Sequence, residues 1–258
     1  MVQAGPFYLE LMLKLEKNGS ALARAGVKMN SYRKNAIITG ILFIIATVTN
    51  MLGNLSIQPL LVATDYLVQI SANENLILIA LLLVLISAFA SASIAIWLYP
   101  TLKKHNEALA LGSVGLRVME GMLYIIGVVA LLSLLTLSQE YVTAGASNAS
   151  LYQISGTLLM AVKTWAGQLG VIAFTIGCLL YYIIFYQSKL VPRWLSGWGI
   201  LGAALSLASA VLAIFGLLIP LSPVFIVFNL AILVQEMVLA VWLIVKGFNP
   251  SVIASESP

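Results

Sequence analysis

Charge is the property that this sequence has least of: Asp, Glu, Lys and Arg together make up 9% of its 258 residues. About a quarter of an ordinary soluble domain is charged, because its surface has to be hydrated. Hydrophobic residues make up 61% of the chain, and the mean hydropathy is +1.04. These values exclude a water-soluble globular domain and predict that lipid is the solvent for most side chains.

Cysteine and histidine are almost missing as well. A single cysteine, Cys178, excludes an intramolecular disulfide and a cysteine-rich metal site, and its apolar surroundings predict a small buried hydrophobic residue. The single histidine, His105, lies in a basic loop, so no histidine within the membrane is there to act as a base or to bind zinc or haem. We therefore predict no catalytic residue, no metal site and no cofactor, and the sequence gives little support to an enzyme.

Six apolar runs reach the length of about 20 residues that a helix needs to cross a bilayer. They predict an all-α, polytopic membrane protein, a six-transmembrane-helix bundle. The connection between the first two spans is predicted to be either a short surface helix or an ordered loop with one turn of helix. The predicted spans are residues 35–57, 76–98, 107–138, 156–186, 196–219 and 224–245. Residues 1–34 are predicted to form a cytoplasmic amphipathic N-terminal segment that Asn18 and Gly19 interrupt, residues 35–248 the transmembrane domain, and residues 249–258 a cytoplasmic tail.

The positions of the basic residues predict the orientation. Eleven of the 13 Lys and Arg lie before the first span, in alternate connections, or after the last span. The other connections contain Asp65, Glu74 and Glu140 and no Lys or Arg. By the positive-inside rule, both termini are cytoplasmic, and we expect the cytoplasmic membrane of a prokaryote. Because the basicity is a topology signal, nucleic acid is not a predicted partner; the predicted partners are the lipid bilayer, a small-molecule ligand or lipid, and a second copy of the chain.

Four charged residues interrupt the apolar runs: Arg117, Glu120, Lys163 and Glu236. A charge at the centre of a bilayer costs at least ~2.5–3.5 kcal/mol on insertion scales, so it normally faces a partner or a wet cavity. Counting the helical rise of about 1.5 Å per residue from the ends of the spans places all four in adjacent layers. We predict the pairs Arg117–Glu236 and Lys163–Glu120. The hydrogen-bond partners predicted for this buried polar centre are Tyr124, Gln168 and Gln235.

One further polar pair lies in the first span. Asn50 and Asn54 are four residues apart near its outer end, so they share one face of the helix. We predict that they hydrogen-bond to a neighbouring helix.

Several segments resemble the bacterial membrane family catalogued as domain of unknown function 4386. The similar segments are WLYPTL at 97–102, LAL at 109–111 leading into RVME at 117–120, IGCLLY at 176–181, LVPRWLSG at 190–197, and EMVLAVWLIVKGF at 236–248. The resemblance covers residues 32–248 and implies an integral membrane protein without an assigned activity. It also implies a shared role for Arg117, Glu120 and Glu236, whereas Lys163 is not carried over.

Two hypotheses about function follow. In the first, the polar centre binds a small ligand or an ion, as in a transporter, because intramembrane ionisable groups often line such pathways. The third and sixth spans, each with an embedded glutamate and antiparallel to one another, are compatible with the inverted repeats of transporters. In the second, the protein is a structural or regulatory membrane partner, and its buried charges only fix how the helices pack.

Overall fold

The structure is a computed structural model that describes the backbone of residues 6–145, 148–220 and 222–255 and the side chains of residues 30–145, 148–220 and 222–254. These residues form eight helices and no strand. The helices are α1 (Pro6–Leu61), α2 (Tyr66–Ala72), α3 (Glu74–Leu102), α4 (Glu107–Ala144), α5 (Ala149–Ser188), α6 (Arg193–Ile214), α7 (Pro223–Val245) and α8 (Pro250–Ser255). Six of them are long and apolar enough to span a membrane: α3 to α7, and α1 over Asn30–Leu61. The predicted all-α, six-span architecture is confirmed.

The six spanning helices form a closed ring. Each packs against the next in the order α1, α3, α4, α5, α6 and α7, and α7 packs against α1. Spanning helices that follow one another along the chain are antiparallel because short connections join them, and α7 is antiparallel to α1 because it is the sixth of the six spans. The ring surrounds a centre to which every spanning helix contributes side chains, while its outer surface carries exposed hydrophobic side chains such as Ile79, Leu132 and Leu201, as contact with lipid requires.

The two ends of the ring differ in charge. The end that holds the α3–α4 and α5–α6 connections carries Arg33, Lys34, Lys103, Lys104, Lys189, Arg193 and Lys246; we call it the basic end. The opposite end, with Asp65, Glu74 and Glu140, carries no Lys or Arg among the described residues; we call it the acidic end. This asymmetry is the one on which the predicted orientation depends.

Close approach of α1 to its two neighbours depends on glycine. A Cβ added to Gly40 would lie 2.7 Å from the backbone oxygen of Ala240 on α7, and one added to Gly53 would lie 2.7 Å from that of Ala80 on α3. Small residues at such crossings let the backbones of membrane helices touch. At the basic end, Arg33 completes the contact with α7 by donating to the carbonyl oxygens of Leu243, Ile244 and Val245.

Several predicted boundaries differ from the structure. Helix α4 continues to Ala144 rather than ending at residue 138, and α5 begins at Ala149 rather than at residue 156. Helix α1 continues through Asn18 and Gly19, since a single glycine costs a helix only about 1 kcal/mol. The predicted amphipathic character of the N-terminal segment concerns side chains outside the described ones. The fifth span ends at Ile214 rather than at residue 219, because Gly216 adopts φ +70° and the Leu217 N–H donates to the Leu212 carbonyl at 2.9 Å. This is the hydrogen-bond pattern of a glycine-terminated helix.

The predicted surface helix is present as α2 at the acidic end. Its side chains Leu67 and Ile70 are buried, and the helix packs mainly against α4. The Tyr66 hydroxyl donates to the backbone oxygen of Gln153 on α5 at 3.2 Å. Helix α2 therefore links the acidic ends of two spanning helices.

Candidate ligand-binding chamber

An ion pair lies at the centre of the ring, within a single helix. Arg117 and Glu120 are three residues apart on α4, which places their side chains on the same face, and Arg117 Nη1 lies 3.0 Å from Glu120 Oε2. Both side chains are buried, with 2% and 3% of their surface exposed. Ser91 of α3 donates a hydrogen bond to Glu120 Oε1 at 2.8 Å. The predicted pairing of Arg117 with Glu236 is therefore wrong: the partner of Arg117 is Glu120.

The side chain of Cys178 contacts both Arg117 and Glu236. Cys178 Sγ lies 3.8 Å from Arg117 Nη1 and 4.0 Å from Glu236 Oε1. The Tyr181 hydroxyl, three residues along α5, lies 3.0 Å from the same sulfur and 3.4 Å from Glu236 Oε1. Arg117 and Glu236 thus lie at the same level of the bundle, as predicted from the helical rise, but both contact the thiol of α5 and no ion pair joins them.

Helix α5 also fixes the arginine from a second side. The guanidinium carbon of Arg117 lies 4.8 Å from the centre of the Phe174 ring, a cation–π geometry. A Cβ on Gly177 would lie 3.3 Å from Arg117 Cγ, so the small residue makes room for the side chain. Arg117 Nε has no hydrogen-bond partner among the described residues.

Lys163 lies in a different layer from Glu120. Its backbone packs beside Gly127, about two helical turns, or roughly 10 Å, nearer the acidic end than Glu120. No ion pair joins Lys163 to an acidic residue in the described part of the chain, so the predicted Lys163–Glu120 pair is wrong. The packing of α5 on α4 sets this level: Gly177 faces Arg117 and Gly170 faces Tyr124, and this register cannot be obtained by counting from the ends of the spans.

The two predicted glutamines have different surroundings. Gln235 is fully buried, accepts a hydrogen bond from Tyr182 at 2.5 Å and donates to the Leu195 carbonyl at 3.0 Å. It therefore ties α7 to α5 and α6 and takes no part in the charged centre. Gln168 points to the acidic half, where its Oε1 is buried without a hydrogen-bond partner among the described residues.

A cavity of about 220 Å³, which we call the chamber, contains the charged centre. All six spanning helices line it, and its polar side chains are Thr47, Asn50, Ser87, Ser91, Arg117, Glu120, Tyr124, Ser206, Asn229 and Glu236. A water molecule takes about 30 Å³ of liquid volume. The chamber therefore has room for several waters or for one small polar molecule.

A second cavity, of about 500 Å³, adjoins the chamber on the side of the acidic end; we call it the vestibule. Asn50, Tyr124 and Val171 line both cavities. The other polar side chains of the vestibule are Asn54, Gln58, Lys163, Thr164 and Gln168. The Asn54 side chain donates a hydrogen bond to Asn50 of its own helix at 3.3 Å. The predicted hydrogen bond to a neighbouring helix is therefore wrong, and the two side chains line the wall of the vestibule.

Four aromatic rings close the bundle on the other side of the chamber. Tyr181 contacts Phe43, Tyr182 and Phe185, with ring centres 6.4, 4.5 and 6.0 Å away. All four rings are fully buried and belong to a continuous apolar cluster that reaches the basic end. The polar path therefore runs from the acidic end to the middle of the bundle and stops there.

Several residues of the site were not predicted. Of the polar ones, Thr47, Ser87, Ser91, Ser206 and Asn229 line the chamber, and Cys178 and Tyr181 contact Glu236. The spacing of Cys178 and Tyr181, three residues apart on one helix, is a signal that they share a face. No group of three or more His, Cys, Asp or Glu side chains with the geometry of a metal site occurs in the described part of the chain.

Among known proteins, the chain is significantly similar to a protein family but to no individual curated protein or solved structure. The model of the family described as domain of unknown function DUF4386 matches residues 38–247, which include most of the first spanning helix, the other five and all the charged residues of the chamber. The resemblance found in the sequence is thus confirmed, and the chain belongs to the DUF4386 family.

Proposed function

We propose that this protein binds a small hydrophilic ligand with a cationic group in the chamber, and that the ligand enters through the vestibule from the acidic end. Such binding is the first step of transport or of ligand sensing. We also propose that the acidic end faces the exterior of a prokaryotic cytoplasmic membrane and that both termini are cytoplasmic, which the positive-inside rule supports.

The observation that carries this proposal is the charge balance of the chamber. Its lining contains one basic residue, Arg117, and two acidic residues, Glu120 and Glu236. Arg117 is paired with Glu120, so Glu236 is the carboxyl group without an ionic partner among the described residues. A buried charge is stable only when it is paired, hydrogen-bonded or neutralised. A cation beside Glu236, hydrogen-bonded by the neighbouring hydroxyl and amide groups, satisfies that requirement.

A purely structural role for the charges has less support. An ion pair fixes the register between helices when its members lie on different helices, as polar residues do in coiled coils. Arg117 and Glu120 lie on the same helix. Between helices, Glu120 accepts one short hydrogen bond from Ser91, at 2.8 Å, whereas Arg117 and Glu236 make longer contacts, at 3.8 Å to Cys178 and 3.4 Å to Tyr181. A structural cluster would also be close-packed, whereas these groups line a cavity.

A thermal-shift screen tests the proposal directly. Purified protein is heated with small organic amines, quaternary ammonium ions, amino acids, carboxylic acids and neutral polyols. A compound at about 100 times its Kd stabilises its target by about 2.7 kcal/mol. We expect the stabilising compounds to be cationic and their effect to disappear in Glu236→Gln.

Glu140→Gln is the matched control, because Glu140 is an exposed acidic residue outside both cavities. It should retain the full ligand-dependent shift. The proposal fails if only anionic or neutral compounds stabilise the wild-type protein, or if stabilisation by cations survives Glu236→Gln.

A further inference from the structure

A third cavity lies at the basic end, apart from the chamber and the vestibule. Its volume is about 610 Å³, and it lies between the α5–α6 connection and the segment that follows α7. The two walls are joined by hydrogen bonds: the Asn249 N–H donates to the Leu190 carbonyl at 2.8 Å, and the Asn249 side chain donates to the Lys189 carbonyl at 3.4 Å. The cavity is therefore a built part of the fold rather than a gap between loose segments.

Two turns shape the cavity. Lys189 ends α5 in the left-handed conformation, with φ +61°, and Gly247 follows α7 with φ +74°. These turns direct Leu190, Val191 and Phe248 into the core, where each is buried. The cavity thus has an apolar floor and a rim made by the ends of two helices.

The rim is positively charged. Lys189, Arg193 and Lys246 line the cavity, and its lining contains no Asp or Glu. All three side chains are exposed, and none forms an ion pair with another residue whose side chain is described. Arg33 nearby differs, because its guanidinium is occupied by three carbonyl oxygens of α7. Arg193 also lies over the ring of Tyr186, with its guanidinium carbon 5.4 Å from the ring centre, a contact that leaves its charge uncompensated. Three cations without an acidic partner among the described residues surround one cavity, and an anionic occupant would balance them.

Tryptophan places this rim at the membrane surface. Trp242 lines the cavity and contacts Trp194 edge to face, with ring centres 6.5 Å apart. Indole side chains concentrate at the level of the lipid headgroups, and basic pockets at the ends of membrane helices bind anionic headgroups. An anion in this position is therefore more readily supplied by a lipid than by the aqueous phase.

We infer that the cavity formed by Lys189, Arg193, Trp242 and Lys246 binds the headgroup of an anionic phospholipid. The basic side chains contact the phosphate, and the apolar floor and the indole of Trp242 contact the glycerol and the first carbons of the acyl chains. This site does not depend on the function proposed for the chamber, which lies at the centre of the bundle and shares no lining residue with this cavity.

Native mass spectrometry of the protein in a neutral detergent tests this inference. Phosphatidylglycerol and phosphatidylcholine with identical acyl chains are titrated separately, and the variants are Lys189→Gln/Lys246→Gln and, as a control, Lys34→Gln/Lys103→Gln. Both double variants remove two exposed charges from the basic end, but only the first pair lines the cavity. Each basic residue near an anionic headgroup is worth about fivefold in affinity.

We expect wild type to bind phosphatidylglycerol more tightly than phosphatidylcholine. Lys189→Gln/Lys246→Gln should weaken phosphatidylglycerol binding by about 10- to 30-fold, and the control by less than about threefold, because its charges act only from a distance. The inference is overturned if both double variants weaken binding equally, if the two lipids bind equally, or if millimolar inorganic phosphate displaces phosphatidylglycerol, which would indicate a site for a free anion.

Discussion

The two halves of the bundle are built from the same six helices, but Gln235 in one half and Gln168 in the other differ in their hydrogen bonds. In the half toward the basic end, Gln235 uses both ends of its amide, with Tyr182 and Leu195 as partners, inside a dry aromatic cluster. In the half toward the acidic end, Gln168 Oε1 is buried without a partner among the described residues, and it lines the vestibule. The amide of Gln235 is thus fully partnered and lines none of the three cavities, whereas the unpartnered oxygen of Gln168 adjoins one. The contrast concerns these two glutamines, since buried hydroxyls without a partner among the described residues also occur in the basic half, at Thr39, Thr101 and Ser113.

This difference distinguishes a polar group that joins helices from a polar group that can interact with a ligand. An unpartnered polar group in an apolar medium costs roughly 2–7 kcal/mol, and Gln168 borders a cavity in which water or a ligand can reach it. Both halves hold the helices together, each through its own apolar cluster. The acidic half has in addition the polar side chains that line the vestibule and can interact with a ligand.

The largest effect on stability is expected from Arg117→Met. Removing one member of a buried ion pair leaves the other charge uncompensated, which typically costs about 3–5 kcal/mol. The loss should be seen as a shift of the unfolding midpoint in an SDS titration followed by far-ultraviolet circular dichroism. The loss of stability comes from the Glu120 carboxylate, which is left buried without its ionic partner. The double variant Arg117→Met/Glu120→Met should therefore recover about half of the lost stability or more. A double variant less stable than the single one would contradict the pairing.

A smaller effect distinguishes the two halves directly. Gln235→Leu removes hydrogen bonds to Tyr182 and Leu195, and interhelical hydrogen bonds of this kind contribute about 1–2 kcal/mol. Gln168→Leu removes a group whose oxygen has no partner among the described residues, so its effect should be close to zero. The same SDS titration measures both variants. Equal losses would mean that the two glutamines serve the same structural purpose and that the comparison between the halves is wrong.

The architecture could be predicted from the sequence because hydropathy acts locally. Every apolar run long enough to span a bilayer became a spanning helix, and the boundary error after Ile214 came from Gly216, whose positive φ ends α6 early. The pairing of the charges could not be predicted in the same way. It depends on the register between helices, which depth counting does not supply.

The residues of the candidate site could likewise be predicted only in part. Arg117, Glu120, Tyr124 and Glu236 do line one chamber, as the cost of isolated charges in lipid requires. Cys178 is a buried member of the apolar core, as predicted, but it also contacts Arg117 and Glu236, which was not predicted. Only the rotation of α5 against α4 and α7 decides that placement, and no local pattern encodes it.

Thiol labelling tests the central claim, that water reaches the chamber from the acidic end. Three positions are compared with a membrane-impermeant maleimide: Asn50→Cys, which lines both cavities, Leu52→Cys, which lies two residues away and is 55% exposed on the outer surface, and the native Cys178, which is fully buried. Thiols react as thiolates, which form in water and not in lipid or in a dry core. We predict rapid labelling of Asn50→Cys and none at the other two positions. Protection of Asn50→Cys, or equal labelling of all three positions, would contradict the account.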